Sequence, residues 1–175
     1  MRPNTFIPTV QRKVATSAVG PSALRGQGRG VLSVSQLFLA SLSLARVPQS
    51  TEGRFMIWLD RQTDALLDAL PVNGRPWGAA RKAINLFLRD VLYNHYLSRQ
   101  YAFRRVERWL EVPLDSAVAR GLKTKAGRGI LPRWPGLKHL DADLSHQYQV
   151  FASDHANALK IERVHLDMYL WLENR

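Results

Sequence analysis

The stretch from Trp77 to Leu122 constrains the chain most, because it reads as helix, loop and helix with a charged residue at each helix entrance. A Pro76-Trp77-Gly78 breaker is followed by apolar Ile84, Phe87, Leu88, Val91 and Leu92 at helical spacing, which predicts a long amphipathic helix carrying Arg81, Lys82 and Asn85 near its start. Further on, Val112-Pro113 is extended by the steric rule for residues before proline, and Asp115 or Ser116 suits the N-cap of a helix carrying Val118 and Leu122. Lys82 and Asp115 are thereby expected to face each other across a groove.

The rest of the chain repeats the helical period between breakers. Pro8 to Val19 predicts a short helix that ends at Gly20-Pro21, and Val31 to Ala45 a largely buried one. After the Val47-Pro48 break, Ser50 or Thr51 is placed to cap a helix with a core stripe of Phe55, Trp58, Leu59, Leu66, Leu67 and Leu70. Asp60, Arg61, Asp64 and Asp68 form its expected wet face. Pro71 to Pro76 is a turn, and Gly127 to Gly136 a loop without the Gly-Lys-Ser/Thr ending of a phosphate-binding P-loop. Asp141 to Leu159 and Ile161 to Glu173 predict the last two helices. No strand alternation is evident, so the expected fold is all-α and a single domain, in keeping with 175 residues.

Charge narrows the partner. Twenty-five Lys and Arg against 14 Asp and Glu leave +11, which favours a polyanion. Ten cations between Arg99 and Lys138 face only Glu107, Glu111 and Asp115, and Tyr96, Tyr101, Phe103, Trp109 and Trp134 are interleaved with them. Cations for phosphates and flat rings for stacking suit a binder of unpaired bases, whereas core rings and solvated arginines are the plain alternative. Gly20 to Gly30 packs four glycines with Arg25 and Arg29 into eleven residues, either a DNA-contacting loop or a flexible connector. The absence of cysteine excludes disulfides and thiolate metal sites, and the five histidines lack the i, i+4 pairing of a helical zinc site. No apolar run reaches membrane-spanning length, and Met1 to Phe6 lacks a signal-peptide pattern, so a cytoplasmic monomer is expected.

The two strings Gly78-Ala-Ala-Arg-Lys82-Ala-Ile-Asn85 and Val112-Pro-Leu-Asp115-Ser-Ala-Val-Ala-Arg120 resemble the hairpin and aspartate loop of the helix-hairpin-helix, endonuclease III-like DNA glycosylases. The last stretch, Arg163 to Leu172, is similar to that fold's closing helix. The resemblance covers about half the chain and places hairpin and loop within 74–122. It implies an enzyme that flips a damaged or modified base out of double-stranded DNA and cuts its bond to the sugar. Matched residue by residue, Lys82 takes the place of the family's nucleophilic lysine and Asp115 that of its catalytic aspartate. Gly78 and Ala80 take the hairpin glycines, Asn85 the asparagine, and Gln27 looks like the glutamine that fills the vacated base position. Arg25, Arg29, Arg81, Lys123 and Lys125 are the accompanying DNA contacts, and Trp77, His165 and Asp167 the pocket residues to test.

The chain departs from the pattern where Ala80 replaces a glycine and where the stretch from Lys82 to Asp115 is longer than in endonuclease III. It also has no cysteine, so no iron-sulfur cluster or other cofactor is expected. Compact bacterial forms, including an antiphage type acting on bulky modified cytosines, are the nearest likeness. On the residues alone, Asp115 is a helix cap or a catalytic carboxylate, and Lys82 a nucleophile or a phosphate-binding or solvent-exposed lysine. A non-catalytic DNA-binding module is the alternative function.

Overall fold

A computed structural model describes residues 5–173; Met1 to Asn4, the first part of the stretch read against a signal peptide, lie outside them. Among the described residues there are eight α-helices and no strand: α1 (Phe6–Ala18), α2 (Val31–Ser41), α3 (Glu52–Ala69), α4 (Trp77–Tyr93), α5 (His95–Gln100), α6 (Ser116–Ala126), α7 (Ala142–Ala158) and α8 (Leu166–Glu173). The all-α expectation holds. The boundaries follow local chemistry: Thr51 caps α3, Asp115 caps α6 and Asp141 caps α7, each side chain accepting from a backbone N–H of the first turn. The second helix stops at Ser41, earlier than its apolar run suggests, because the chain turns extended at Leu42 and passes into a short 3₁₀ turn at Leu44–Arg46.

Two glutamines tie α1 and α2 together. The buried Gln11 amide donates to the carbonyls of Leu39, Ala40 and Leu42 at the C-terminus of α2, at 3.1, 3.2 and 2.8 Å. Gln36 donates to Val19 O at 2.8 Å at the end of α1. Each supplies donors to carbonyls that a helix end leaves without partners. The glycine-rich loop is therefore anchored where it begins.

Helix α4 is the centre of the molecule. The sequence predicts it as amphipathic, yet every residue from Gly78 to Leu88 is buried, Arg81, Lys82 and Asn85 included. The reason is its position: α1, α2, α3, α5, Leu137–His139 and α7 all pack on it. One apolar core gathers α1 to α5 with Phe103, Val106, Trp109 and Leu110, while a second gathers Val112, Leu114, α6, α7 and Leu166. Trp77, at the start of α4, packs against the second core.

Gly78 shows why the helix can be so enclosed. A Cβ there would lie 2.5 Å from Leu137 O and 2.8 Å from Leu140 Cβ, so its hydrogen lets another chain segment cross the first turn. This corrects the hairpin assignment. The reversal between α3 and α4 lies at Leu70 to Pro76, whereas Gly78 and Ala80 are inside α4 and face protein. No helix among the described residues is long and apolar enough to cross a membrane.

Candidate functional site

The site is built on an extended segment that has no sheet to belong to. Val112 and Leu114 are buried in the second core, and their backbone needs partners there. Gln149 supplies them as a strand would: Val112 N donates to Gln149 Oε1 at 3.2 Å, and Gln149 Nε2 donates to Val112 O at 2.8 Å. Arg163 donates to Trp109 O and Leu110 O, at 3.1 and 3.3 Å, and Pro113 has no N–H to satisfy. Glu111 receives Arg81 Nε and Nη2 and Asn85 Nδ2, all at 2.8 Å. The segment is held along its length, so Asp115 at its end has a fixed position.

Asp115 divides its work between its two oxygens. Oδ1 accepts from Ala117 N and Val118 N, both at 2.9 Å, as the cap of α6. Oδ2 faces Lys82, whose Nζ is 3.2 Å away. Lys82 Nζ also donates to Ala23 O at 2.9 Å, joining the glycine-rich loop to the pair. The lysine side chain is 7 % exposed and the aspartate 35 %, so the carboxylate is the more accessible member. Capping and site geometry thus coexist in one residue.

The pair lines a cleft of about 560 Å³ whose walls are mainly apolar, including Leu86, Pro113, Val118, Met168 and Trp171. Its other charged residues are Arg89 and Asp167, which form an ion pair. Asp167 is only 11 % exposed, and its Oδ1 is buried with no hydrogen-bond partner. Burial raises the Asp167 pKa against the pull of Arg89, and the nearby charge of Asp115 adds to the rise. On the far side of the pair, a recess of about 410 Å³ is lined by Arg25, Gln27, Ser116 and Lys138, together with Lys82 and Asp115 themselves. An anchored carboxylate, an amine and a second carboxyl with a raised pKa converge on a largely apolar cleft. That set can stabilise a developing cation and manage a proton.

Of the sequence-predicted residues, Lys82, Asp115, Gln27, Arg25 and Asp167 meet around this cleft and its recess. Arg29 is exposed on the same loop. Lys123 and Lys125 lie on α6, the first donating to Pro132 O at 3.1 Å and the second paired with Glu173 at 2.8 Å. Others depart from expectation. Gly78 and Ala80 are buried against protein and cannot present backbone to a phosphate. Arg81 is not a surface DNA contact: Glu111 takes Nε and Nη2, and Asp60 and Thr63 take Nη1, at 2.8 and 3.1 Å. Asp60 lies on the expected wet face, 60 % exposed, and reaches Arg81 from there.

Asn85 belongs to that same network, and Trp77 lies 5.5 Å from the Arg81 guanidinium, so neither opens on the cleft. His165 sits apart, accepting or donating at Tyr93 Oη and Glu107 Oε1, at 2.7 and 3.0 Å. Burial, followed by the charge of Asp167, pushes the Tyr93 phenol up to about 12. Arg89, Met168 and Trp171 were not singled out from sequence. The spacing Lys82, Leu86, Arg89 was the available signal, since three- and four-residue steps place all three on one helix face.

In comparisons with known proteins, no family model matches the chain, nor does any curated protein or solved structure.

Proposed function

We propose that this protein is a DNA N-glycosylase that extrudes a damaged or modified base from double-stranded DNA and cleaves its bond to the sugar. The observation that carries the reading is the Lys82–Asp115 pair, 3.2 Å apart at the mouth of a partly apolar cleft, in a chain of net charge +11. Breaking the bond leaves positive charge on the sugar ring. In this reading Asp115 Oδ2, its carboxylate fixed by the capping bonds to Oδ1, stabilises that charge and steers a water to the sugar carbon. The bond's electron pair departs with the base, the water's oxygen bonds to the sugar carbon, and the proton that the water loses passes to the base, leaving an abasic site. In this reading Gln27 and the glycine-rich loop fill the space the base vacates, offsetting an unstacking cost of about a few kcal/mol.

Lys82 favours the monofunctional form of this reaction. Its amine is engaged by Ala23 O and Asp115, so its first task is to hold the loop and the carboxylate in register. If substrate binding frees it, attack on the sugar carbon would add strand cleavage through a Schiff base. The same enclosed lysine supports a second reading, a DNA-binding module in which the pair is only a strut.

The test is incubation of the protein with plain genomic DNA and with heavily modified phage DNA, with free bases scored by mass spectrometry beside Asp115→Asn. Base release by the wild type alone supports the glycosylase and separates a repair from a phage-defence substrate. Tight binding with no base released from either DNA favours the module.

A further inference from the structure

A second recess, about 450 Å³, opens on the outer face of α6 and is lined by Ser116, Arg120, Lys123, Thr124, Arg133 and Trp134. Its lining contains three cations and no carboxylate. Arg120 and Arg133 are exposed, and among the described residues neither has an ion-pair partner. Elsewhere Arg81, Arg89 and Arg104 each meet a carboxylate, whereas this recess offers its three cations none. Like charges gathered without counter-charges repel one another unless an anion completes them.

The recess is also held in shape. Trp134 Nε1 donates to Ser116 Oγ at 3.1 Å, and the indole packs edge-to-face on Tyr148 with centroids 5.4 Å apart. Tyr148 Oη and Lys123 Nζ both donate to Pro132 O, at 2.8 and 3.1 Å, fastening the Pro132-Arg133-Trp134 stretch to α6 and α7. Ser116 belongs to this recess and to the one beside the Lys82–Asp115 pair, so the two adjoin.

We infer that the Arg120–Lys123–Arg133–Trp134 recess is a binding site for single-stranded nucleic acid, its cations holding backbone phosphates and its indole stacking an unpaired base. The fixed flat ring distinguishes this ligand from a merely acidic protein surface, which needs the charges and not the ring. Its place beside the smaller recess at the Lys82–Asp115 pair gives the unpaired strand around an extruded base somewhere to lie, yet the site requires no base to be excised.

Fluorescence anisotropy of the full chain tests it, using a single-stranded oligonucleotide, its blunt duplex and poly-glutamate across a salt series. Arg120→Ala with Arg133→Ala is expected to weaken single-strand binding at least about tenfold and to reduce the slope of log affinity against log salt by roughly 1.4, two phosphate contacts' worth. Trp134→Ala is expected to weaken it roughly 5- to 150-fold with the salt slope unchanged, and Trp134→Phe to recover much of the loss. Because Trp134 also packs on Tyr148, the Phe variant and a melting curve separate stacking from damage to the fold. Unchanged affinity and slope in the double arginine variant overturn the inference. Poly-glutamate binding as tight as the oligonucleotide, and equally insensitive to Trp134, overturns it in favour of an acidic protein partner.

Discussion

Arg81 and Lys82 are neighbours on α4, and each meets a carboxylate, yet the two pairs do different work. Helical geometry turns successive side chains about 100° apart, so one points toward α3 and the Glu111 segment and the other toward the glycine-rich loop. Glu111 is 4 % exposed, and both its oxygens are filled by Arg81 and Asn85. Nothing is left over for a ligand. Asp115 has one oxygen filled by helix amides and another that meets a single amine at a cleft. A cation beside an anion is therefore uninformative about function; the unfilled hydrogen-bonding capacity of the carboxylate distinguishes scaffold from site.

The sharpest way to break the comparison is to remove Glu111. Glu111→Ala leaves Arg81 buried with only the more exposed Asp60 as counter-charge, and is expected to cost about 3–5 kcal/mol of stability in denaturant unfolding. Combining it with Arg81→Met removes the stranded charge and should recover a large part of that loss. The pH dependence has a definite sign. Burial opposes the Glu111 charge, but Arg81 overcomes it and the net pKa is lowered, so the network's contribution is present above the ordinary value of 4.5 and lost as pH falls through the folded-state value. A variant that unfolds no more easily than wild type at neutral pH would refute the scaffold role.

Asp115→Asn should behave in the opposite way. Asparagine caps helices about as well as aspartate, so the cap is kept; Lys82 loses its carboxylate but keeps Ala23 O, and because Asp115 is 35 % exposed the drop in melting temperature is expected to be well below that of Glu111→Ala. Base release under the proposed function is expected to fall by about 10²–10³-fold, typical of losing one preorganised electrostatic group. Equal base release by variant and wild type would remove Asp115 from the chemistry, leaving it the cap alone.

Much of this division was legible in sequence, and its limits are physical. Helical periodicity and breakers gave the all-α class and the long loops, because those signals are local. The Val112-Pro113-Leu114-Asp115 string gave both an extended run and a cap, because proline sterics and aspartate capping act within a few residues. Arg81 was misplaced at a surface because burial is tertiary: nothing local says that Glu111 and Asp60 converge on it. Asn85 and Trp77 failed for the same reason, and Gly78 because its missing Cβ serves the crossing at Leu137 to Leu140 rather than a phosphate. The charged residues at two helix entrances point to Lys82 meeting Asp115, whereas the Ala23 carbonyl as third member has no sequence signal.

Gly78 tests whether the two pairs share a foundation. A methyl at this position must displace the Leu137 carbonyl, a backbone atom that cannot simply rotate away. Gly78→Ala is expected to cost about 1–3 kcal/mol despite alanine's better helix propensity. Because α4 carries both Arg81 and Lys82, a shift of its first turn should disturb both pairs. Loss of base release well beyond the fraction unfolded would show that the seating of α4 sets the Lys82–Asp115 geometry; loss in proportion to unfolding would confine Gly78 to packing.

Asp167 sharpens the comparison most gently, since it is the cleft-side carboxyl whose proton affinity moves opposite to that of Glu111. Burial raises its folded-state pKa even with Arg89 beside it, so its contribution to stability is present below the ordinary carboxylate range and is lost as pH rises through the raised value. Asp167→Asn cannot ionise, and its amide oxygen can still accept from Arg89. The variant is therefore expected to be more stable than wild type near pH 7, by about 1 kcal/mol or less, with the advantage shrinking toward pH 3. Chemical denaturation at several pH values reads this directly. An advantage that instead grows on acidification would mean that Arg89 dominates burial, and that the cleft holds Asp167 as a settled ion pair, as the interior holds Glu111.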